Sequence, residues 1–415
     1  MFENSLAIVA FARRYKALLV AYLACCVQLS AIAQISQDSV RIGILNDQSG
    51  PYSALQGQGS VVAARMAVED FGGTVLGKRI DVVYADHQNK PDVGATIARK
   101  WFDVDGVDLM VEVGNSAVAL AVQQIAREKS KIVIYTAVAT TEITGKQCSP
   151  TGFSWLHDSY AMVSGPVRSL LKQDMDTWYF IYADSAFGQN VVSEASRIIE
   201  ANGGRVVGSV KHPTNEIDFA SYVLQAQASR AKVVAVIDAG QLLVSAFKQA
   251  GEFGLTKGGQ KVVAPVTFLT DVRGMGLKAA QGLNVAIPFY WDLDDQTRAF
   301  SQRFFARHKA MPTEPQAAVY SGVSHYLKAV RDTATDKTMT VAARMRSMPV
   351  NDFFAKNGVL RDDGRLLNDF YLVQAKSPAE STGPWDLYKV VAKIPPQETA
   401  KPLSESECPI VKTAR

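Results

Sequence analysis

The feature that most constrains the fold of this chain is a repeated alternation of short apolar runs with helical patterns. The runs are continuously apolar rather than alternating, and they are rich in β-branched residues. Such runs predict strands that are buried on both faces, which means parallel sheets covered by helices. In the first helical pattern, Val61, Ala64, Val68 and Phe71 recur at the spacing of one helix face.

The predicted strands fall into two groups. The first covers residues 40–45, 80–85, 109–114 and 131–137, and the second covers 177–183, 205–210, 232–237, 261–269 and 282–287. Because the rhythm restarts once, we predict two α/β lobes in series, the first ending near His157 and the second near Pro288. A mostly helical stretch follows, and then two late strand-like runs at 369–376 and 385–394. A length of 415 residues agrees with two domains or at most three.

Residues 1–33 predict a secretory signal peptide, so that the mature chain begins near Gln34. Three basic residues precede the short apolar run 17–27, and small residues at 31–33 fit a cleavage site. One alternative is a transmembrane anchor, although a span needs about 20 apolar residues. Another is a lipoprotein joined through Cys25 or Cys26, although the residues before them fit a lipobox poorly. The prediction places the protein in the periplasm.

Removal of that peptide leaves two cysteines, Cys148 and Cys408. In an oxidising compartment an even pair predicts a disulfide. The bond would tie the C-terminal tail, residues 396–415, to the middle of the chain. The alternative is two free thiols.

Several kinds of chemistry have no motif in this chain. A net charge of +4 without a basic cluster gives no reason to expect a nucleic-acid partner. The P-loop, HExxH and GxSxG patterns are absent, and the five histidines are scattered, so we expect no metal site. Gly57-Gln58-Gly59 begins a dinucleotide-binding pattern, but Val62 stands where its third glycine is needed. We therefore predict a binding protein without a cofactor rather than an enzyme; an exported hydrolase is the alternative.

The loops that follow the predicted strands are the expected binding surface, because ligands of parallel α/β sheets lie beyond the carboxyl ends of the strands. The first loop, residues 46–59, is long for a strand-to-helix connection, and Tyr52 lies at its centre. Hydroxyl and amide side chains at the following helix starts could hold a carboxylate together with the helix dipole. Their alternative role is ordinary N-capping, and the first loop could be a plain surface loop.

A set of motifs follows one another along the chain: RIGILNDQSGPYSALQGQG, AARMAVEDFGG, LGKRIDVVYADHQNKPDVGATIARKW, VGNSAVALAV, YTAVATTEIT, YADSAFGQNV and KQAGEFGL. In this order and spacing, from Val40 to about Ile394, the chain resembles the periplasmic solute-binding proteins of the branched-chain (Leu/Ile/Val) amino-acid ABC transporter family.

The resemblance implies a type I periplasmic-binding-protein fold, in which two doubly wound parallel-sheet lobes joined by hinge strands close over a solute. The implied first lobe comprises residues 38–157 and 289–365, and the second comprises 158–288 and 366–395. The implied partners are a small-molecule solute and the membrane subunits of an ABC permease, with the binding protein itself a monomer.

The resemblance also implies a set of ligand-binding residues. Ser116 would meet the ligand carboxylate, with Asn115 and Ala117 beside it. The second half of that clamp would be Ala139 and Thr140. The second lobe would add Phe187 and Asp271. The residues themselves suggest that Tyr52, Tyr160 and Phe187 cover an apolar ligand body, the alternative for each being ordinary packing. Phe187 stands where the family commonly has a tyrosine, and Asp271 is the candidate for an ammonium group.

The implied function is capture of a small carboxylate for an ABC importer, either a branched-chain or related amino acid or an aromatic carboxylate. The motif around Asp271 departs from that of the amino-acid binders, so the sequence leaves the solute open. The alternatives are a binder of small amides and a ligand-sensing module of a signalling receptor.

Overall fold

The structure is a computed structural model that describes residues 35–413, apart from the side chains of Thr256, Lys257 and Thr413. The predicted signal peptide, residues 1–33, lies outside the described residues. No helix in the described range is long and apolar enough to cross a membrane.

The strands are numbered along the chain. They are β1 (Ser39–Asn46), β2 (Thr74–Val75), β3 (Lys78–Asp86), β4 (Leu109–Glu112), β5 (Ile132–Tyr135), β6 (Gly152–Ser154), β7 (Thr177–Ala183), β8 (Arg205–His212), β9 (Val233–Ile237), β10 (Lys261–Val263), β11 (Asn284–Ile287), β12 (Val359–Leu360), β13 (Leu366–Leu367), β14 (Phe370–Ala375) and β15 (Tyr388–Ile394).

The α-helices are numbered in the same way. They are α1 (Gly57–Phe71), α2 (Pro91–Asp103), α3 (Ser116–Glu128), α4 (Ser159–Leu171), α5 (Ala186–Ala201), α6 (Ala220–Ser229), α7 (Gly240–Glu252), α8 (Leu269–Met275), α9 (Leu277–Ala280), α10 (Asp295–His308), α11 (Glu314–Thr333), α12 (Thr338–Ser347), α13 (Pro396–Thr399) and α14 (Pro409–Thr413). Short 3-10 turns lie at Thr141–Ile143, Leu255–Gly258 and Leu403–Glu405.

The first sheet has the strand order β2-β3-β1-β4-β5-β6. Its strands are parallel except β2, which is antiparallel to β3. In β4, Leu109 and Val111 pack into one hydrophobic core, and Met110 between them packs into the core on the other face. This burial on both faces explains why the sequence of the strand is continuously apolar.

The second sheet has the order β10-β9-β7-β8, and all its pairings are parallel. Val234 and Val236 of β9 face one core, while Val233, Ala235 and Ile237 face the other. Two parallel sheets, each covered by helices on both faces, confirm the predicted fold class.

The late strands form a third, antiparallel sheet of order β11-β14-β15. Val285 of β11 and Val373 of β14 share a core with the second sheet. The helical stretch between these strands returns to the first sheet, since Phe300 of α10 and Val319 of α11 pack into its core. The chain therefore passes between the two halves more than once. The residue boundaries given above for the lobes stay predictions.

One predicted strand is shorter than expected. The run 261–269 forms a strand only over Lys261–Val263, and α8 begins at Leu269. Pro265 has no backbone N–H to donate to a neighbouring strand, and proline disfavours continuation of a central strand. The segment that leaves the sheet there contributes Val266 and Phe268 to the cavity described below.

The C-terminal tail is covalently joined to the first half of the chain. Cys148 and Cys408, which are 260 positions apart in the sequence, form a disulfide with their Cα atoms 5.5 Å apart. Both cysteines are buried, and Val411 packs beside them.

Candidate functional site

A cavity of about 500 Å³ lies where the carboxyl ends of the strands of both parallel sheets meet. The first sheet lines it with residues that follow β1, β3, β4, β5 and β6, and the second with residues that follow β7, β8, β9 and β10. This is the edge at which parallel α/β sheets bind ligands. The prediction that the strand-end loops converge on one site is therefore met by the geometry.

The long first loop is held in shape by a buried carboxylate. Asp47 Oδ1 accepts a hydrogen bond from the N–H of Gly50 (2.6 Å), and Oδ2 accepts one from the N–H of Tyr52 (2.9 Å). Asn89 Nδ2, from the loop after β3, donates to the same oxygen at 2.9 Å. The loop is thus tied to its neighbour, and Tyr52 is presented to the cavity that it lines.

Glu112, the last residue of β4, supports the turn between β4 and α3 from the interior of the protein. Its carboxylate is fully buried and accepts hydrogen bonds from Asn46 Nδ2 (2.6 Å) and Ser60 Oγ (2.8 Å). Burial raises the pKa of Glu112 to about 8, so this group is largely protonated at neutral pH. Glu112 and Val113 both have positive φ angles, 83° and 49°, a backbone conformation that residues other than glycine rarely adopt.

The start of α3 lies at the cavity, where the sequence predicts an anion-binding position. Asn115 Oδ1 accepts hydrogen bonds from the N–H groups of Ala117 (3.0 Å) and Val118 (3.2 Å), so it is the N-cap of the helix. Asn115, Ser116 and Ala117 all line the cavity. No hydrogen bond within residues 35–413 engages the Ser116 hydroxyl. A hydroxyl at the positive end of a helix dipole suits a carboxylate.

The predicted second half of the clamp is only partly at the cavity. Ala139 lines it, but Thr140 does not. The Thr140 hydroxyl is buried and accepts a hydrogen bond from the N–H of Glu142 at 3.3 Å, which caps the 3-10 turn Thr141–Ile143. The Thr140 hydroxyl thus caps a local turn and lies outside the cavity lining.

Of the second-lobe aromatic residues, the structure brings Phe187 to the cavity and keeps Tyr160 behind it. Phe187 lies in the first turn of α5, whose N-cap Ser185 also lines the cavity. Tyr160 is 5% exposed and packs in the core with Leu55 and Ala139. It supports the cavity wall without lining it.

Asp271 has a structural task that the sequence does not reveal. Its two carboxylate oxygens accept hydrogen bonds from the N–H groups of Gly240 and Phe268, each at 3.0 Å. The side chain is 1% exposed and does not line the cavity, and burial raises its pKa to about 7. Asp271 therefore ties the start of α7 to the start of α8, and its predicted role toward an ammonium group stays a prediction.

The lining residues that were not expected from the sequence include Lys90, His157 and Phe268. Lys90 lines the cavity at an exposed position, and His157 and Phe268 line it as buried rings whose centroids are 5.6 Å apart. His157 could have been suspected from its place just after a strand, but β6 is only three residues long and no predicted strand covered it.

The described part of the chain contains no group of three or more His, Cys, Asp or Glu side chains arranged to hold a metal ion. The hydrogen-bonding groups that line the cavity are hydroxyls, amides, backbone groups, one imidazole and the amino group of Lys90. Such groups recognise a small organic molecule by hydrogen bonding and apolar contact.

Comparison with known proteins gives consistent results. The model of a family described as periplasmic binding protein matches residues 39–383. A crystal structure of a periplasmic binding protein from Burkholderia mallei superposes with a TM-score of 0.88 at 43% identity, covering 90% of this chain and 99% of that one. A branched chain amino acid ABC transporter periplasmic ligand-binding protein from Burkholderia xenovorans LB400 gives 0.80 and 41%, covering 90% and 100%.

Among curated proteins, the Leu/Ile/Val-binding protein homolog 8 of Brucella abortus (strain 2308) is 26% identical over 226 residues. That alignment covers 52% of this chain and 55% of the relative, so the chain spans about half the length of the curated relatives it matches.

Proposed function

Because this chain belongs to the periplasmic binding protein family, we propose that it is the solute-binding component of an ABC importer, specific for a small carboxylate that has no ammonium group. The family consists of solute-binding proteins of ABC transporters rather than enzymes, and its location is the periplasm. The proposal adds the class of solute and the mode of capture.

The observation that supports the solute class is the charge of the cavity lining. No Asp or Glu side chain among the described residues lines the cavity, and Lys90 is the basic side chain that lines it. Burial raises the pKa of Tyr52, and three nearby carboxylates, those of Asp238, Asp47 and Asp271, raise it further. All three carboxylates are buried, and none of them lines the cavity. Since a buried ammonium group needs a paired carboxylate, the lining fits an amino acid poorly.

The apolar part of the cavity fits a flat or branched hydrocarbon body. Tyr52 and Leu55 come from the first loop, and Met162, Phe187 and Phe268 come from the segments that join or form the second half. A position for an anion at the start of α3, with a mostly apolar lining in the rest of the cavity, suits a monocarboxylate such as an aromatic acid.

Capture would require closure of the two halves on the solute. The first loop already contacts the second sheet's helices, since the Pro51 carbonyl accepts a hydrogen bond from the N–H of Gln241 at 3.4 Å. A ligand that touches both halves favours the closed form. To shift the equilibrium from 1:99 to 99:1 it must bind that form about 5.5 kcal/mol more tightly than the open form.

The test is calorimetric titration of the mature protein, freed of retained solute, with benzoate and with leucine. We expect benzoate to bind and leucine to bind at least about 10-fold more weakly, because its ammonium group would lose water without gaining a carboxylate. Tighter binding of leucine would overturn the assignment to a carboxylate without an ammonium group. Mass spectrometry of the solute retained during purification is the complementary measurement.

The remaining parts of the proposal concern partners. The protein would be exported by its N-terminal signal peptide, act as a monomer and deliver the solute to permease subunits. If deletion of the gene for this protein left uptake of the solute unchanged, the protein would instead fit a sensing module of a receptor.

A further inference from the structure

His157 occupies a fixed position in the wall of the cavity. The N–H of Trp155 donates to the carbonyl of Tyr135 (2.8 Å), and the N–H of Ser159 donates to the carbonyl of Ala139 (2.7 Å). These two hydrogen bonds hold the backbone on both sides of His157 against the end of the first sheet. The imidazole is 5% exposed and lines the cavity, so its place is set before any solute arrives.

The imidazole has hydrogen-bonding capacity that the protein does not use. Its Nδ1 atom is buried and has no hydrogen-bond partner within the described residues. One side of the ring packs against Phe268, which also lines the cavity, with the ring planes 33° apart. A buried polar atom without a partner is destabilising, so such groups in native proteins usually bind water or a ligand.

Burial, together with one nearby positive charge, keeps the His157 imidazole neutral. Arg365 lies behind it, 2% exposed, with its Nη1 3.5 Å from Asp158 Oδ2. Burial and the Arg365 charge lower the pKa of His157 to about 3. A neutral imidazole has one N–H donor and one acceptor nitrogen, which suits a hydroxyl or carbonyl group better than it suits a carboxylate.

We propose that His157 is a specificity-determining residue that hydrogen-bonds a hydroxyl or carbonyl group on the body of the solute, away from its carboxylate. The preferred solute is then a carboxylate with a second, uncharged polar substituent. This inference rests on the proposed function, because it takes Ser116 at the start of α3 as the carboxylate position.

The experiment compares benzoate with its three monohydroxy isomers by calorimetry, in the wild type, His157→Phe and His157→Gln. His308→Phe is the matched control, because it makes the same substitution on α10, at a histidine that does not line the cavity. In the wild type we expect at least one isomer to bind about 10-fold more tightly than benzoate. His157→Phe should abolish that gain while changing the Kd of benzoate by less than about threefold.

His157→Gln, which keeps a donor and an acceptor, should retain part of the gain, and His308→Phe should retain all of it. A gain that persists in His157→Phe overturns the proposal, and so does a wild type that binds no isomer more tightly than benzoate. In both cases binding of benzoate would leave the proposed function standing. If neither benzoate nor any isomer binds the wild type, the proposed function fails as well. Thermal denaturation of each variant verifies that it is folded.

Discussion

At the scale of single residues, some residues of the site could be predicted from the sequence, whereas others could be located only in the folded structure. Ser116 could be predicted because a small polar residue follows a buried strand and begins a helix. Asp271 could not, because nothing in the sequence shows that its carboxylate accepts hydrogen bonds from the backbone of Phe268 and Gly240. His157 was missed because its position depends on the short β6 pairing with β5.

The contribution of Ser116 is tested by Ser116→Ala. If its hydroxyl donates to the solute carboxylate, the variant should bind benzoate about 10-fold to 100-fold more weakly, the usual range for a hydrogen bond to a charged group. Thr140→Ala is the matched control, since its hydroxyl caps a turn and does not line the cavity. Calorimetry showing equal losses for both variants would contradict the distinction between the two hydroxyls.

The buried carboxyl of Glu112 predicts a pH dependence of stability. Its pKa is raised to about 8 in the folded state from 4.5 in the unfolded chain. Between these values the folded state holds the proton and the unfolded state does not, so stability falls as the pH rises, by up to about 1.4 kcal/mol per pH unit. Below pH 4.5 and above pH 8 this contribution is constant.

Glu112→Gln removes that titration and keeps groups able to pair with Asn46 and Ser60. Thermal denaturation at pH 5 and pH 8 should therefore show a smaller loss of Tm for the variant than for the wild type. Identical losses in the two proteins would mean that Glu112 is ionised in the folded state at neutral pH.

At the scale of helices and strands, the sequence predicted the alternation well because parallel strands buried on both faces need apolar side chains at every position. It failed at 261–269, where apolar residues continue past the end of β10 but Pro265 prevents further strand pairing. The same segment then supplies Val266 and Phe268 to the cavity. Composition alone cannot distinguish a strand from an apolar loop that lines a binding site.

The start of α7 is the element that meets the first loop. Gly240 has a φ of +62°, and a Cβ atom built on it would overlap the Pro51 carbonyl oxygen. We expect Gly240→Ala to oppose the contact between the two halves and to weaken solute binding measurably in calorimetry, since closure depends on that contact.

Gly251→Ala is the control on the same helix, because a Cβ there meets no atom within 4 Å. It should leave binding unchanged and stabilise the fold by up to about 1 kcal/mol, as replacement of a helical glycine by alanine usually does. Unchanged binding by Gly240→Ala, with the variant folded, would show that the Pro51 contact has no part in closure.

At the scale of the whole molecule, the tail is joined to the first half by the Cys148–Cys408 disulfide across 260 positions of sequence. Replacing both cysteines by serine should destabilise the protein by about 2–5 kcal/mol, the range found when native disulfides are removed. Chemical denaturation of the oxidised wild type and of the double variant measures the difference. Equal stability would mean that the bond does not constrain the folded protein.

The central claim is that two α/β halves close on a solute held by its negative charge. The most direct measurement is a calorimetric comparison of benzoate with benzamide, which has nearly the same shape and no charge. We predict that benzoate binds at least about 10-fold more tightly, because the helix start at Ser116 and the Lys90 ammonium favour an anion. Equal or tighter binding of benzamide would contradict the claim and favour a binder of small amides.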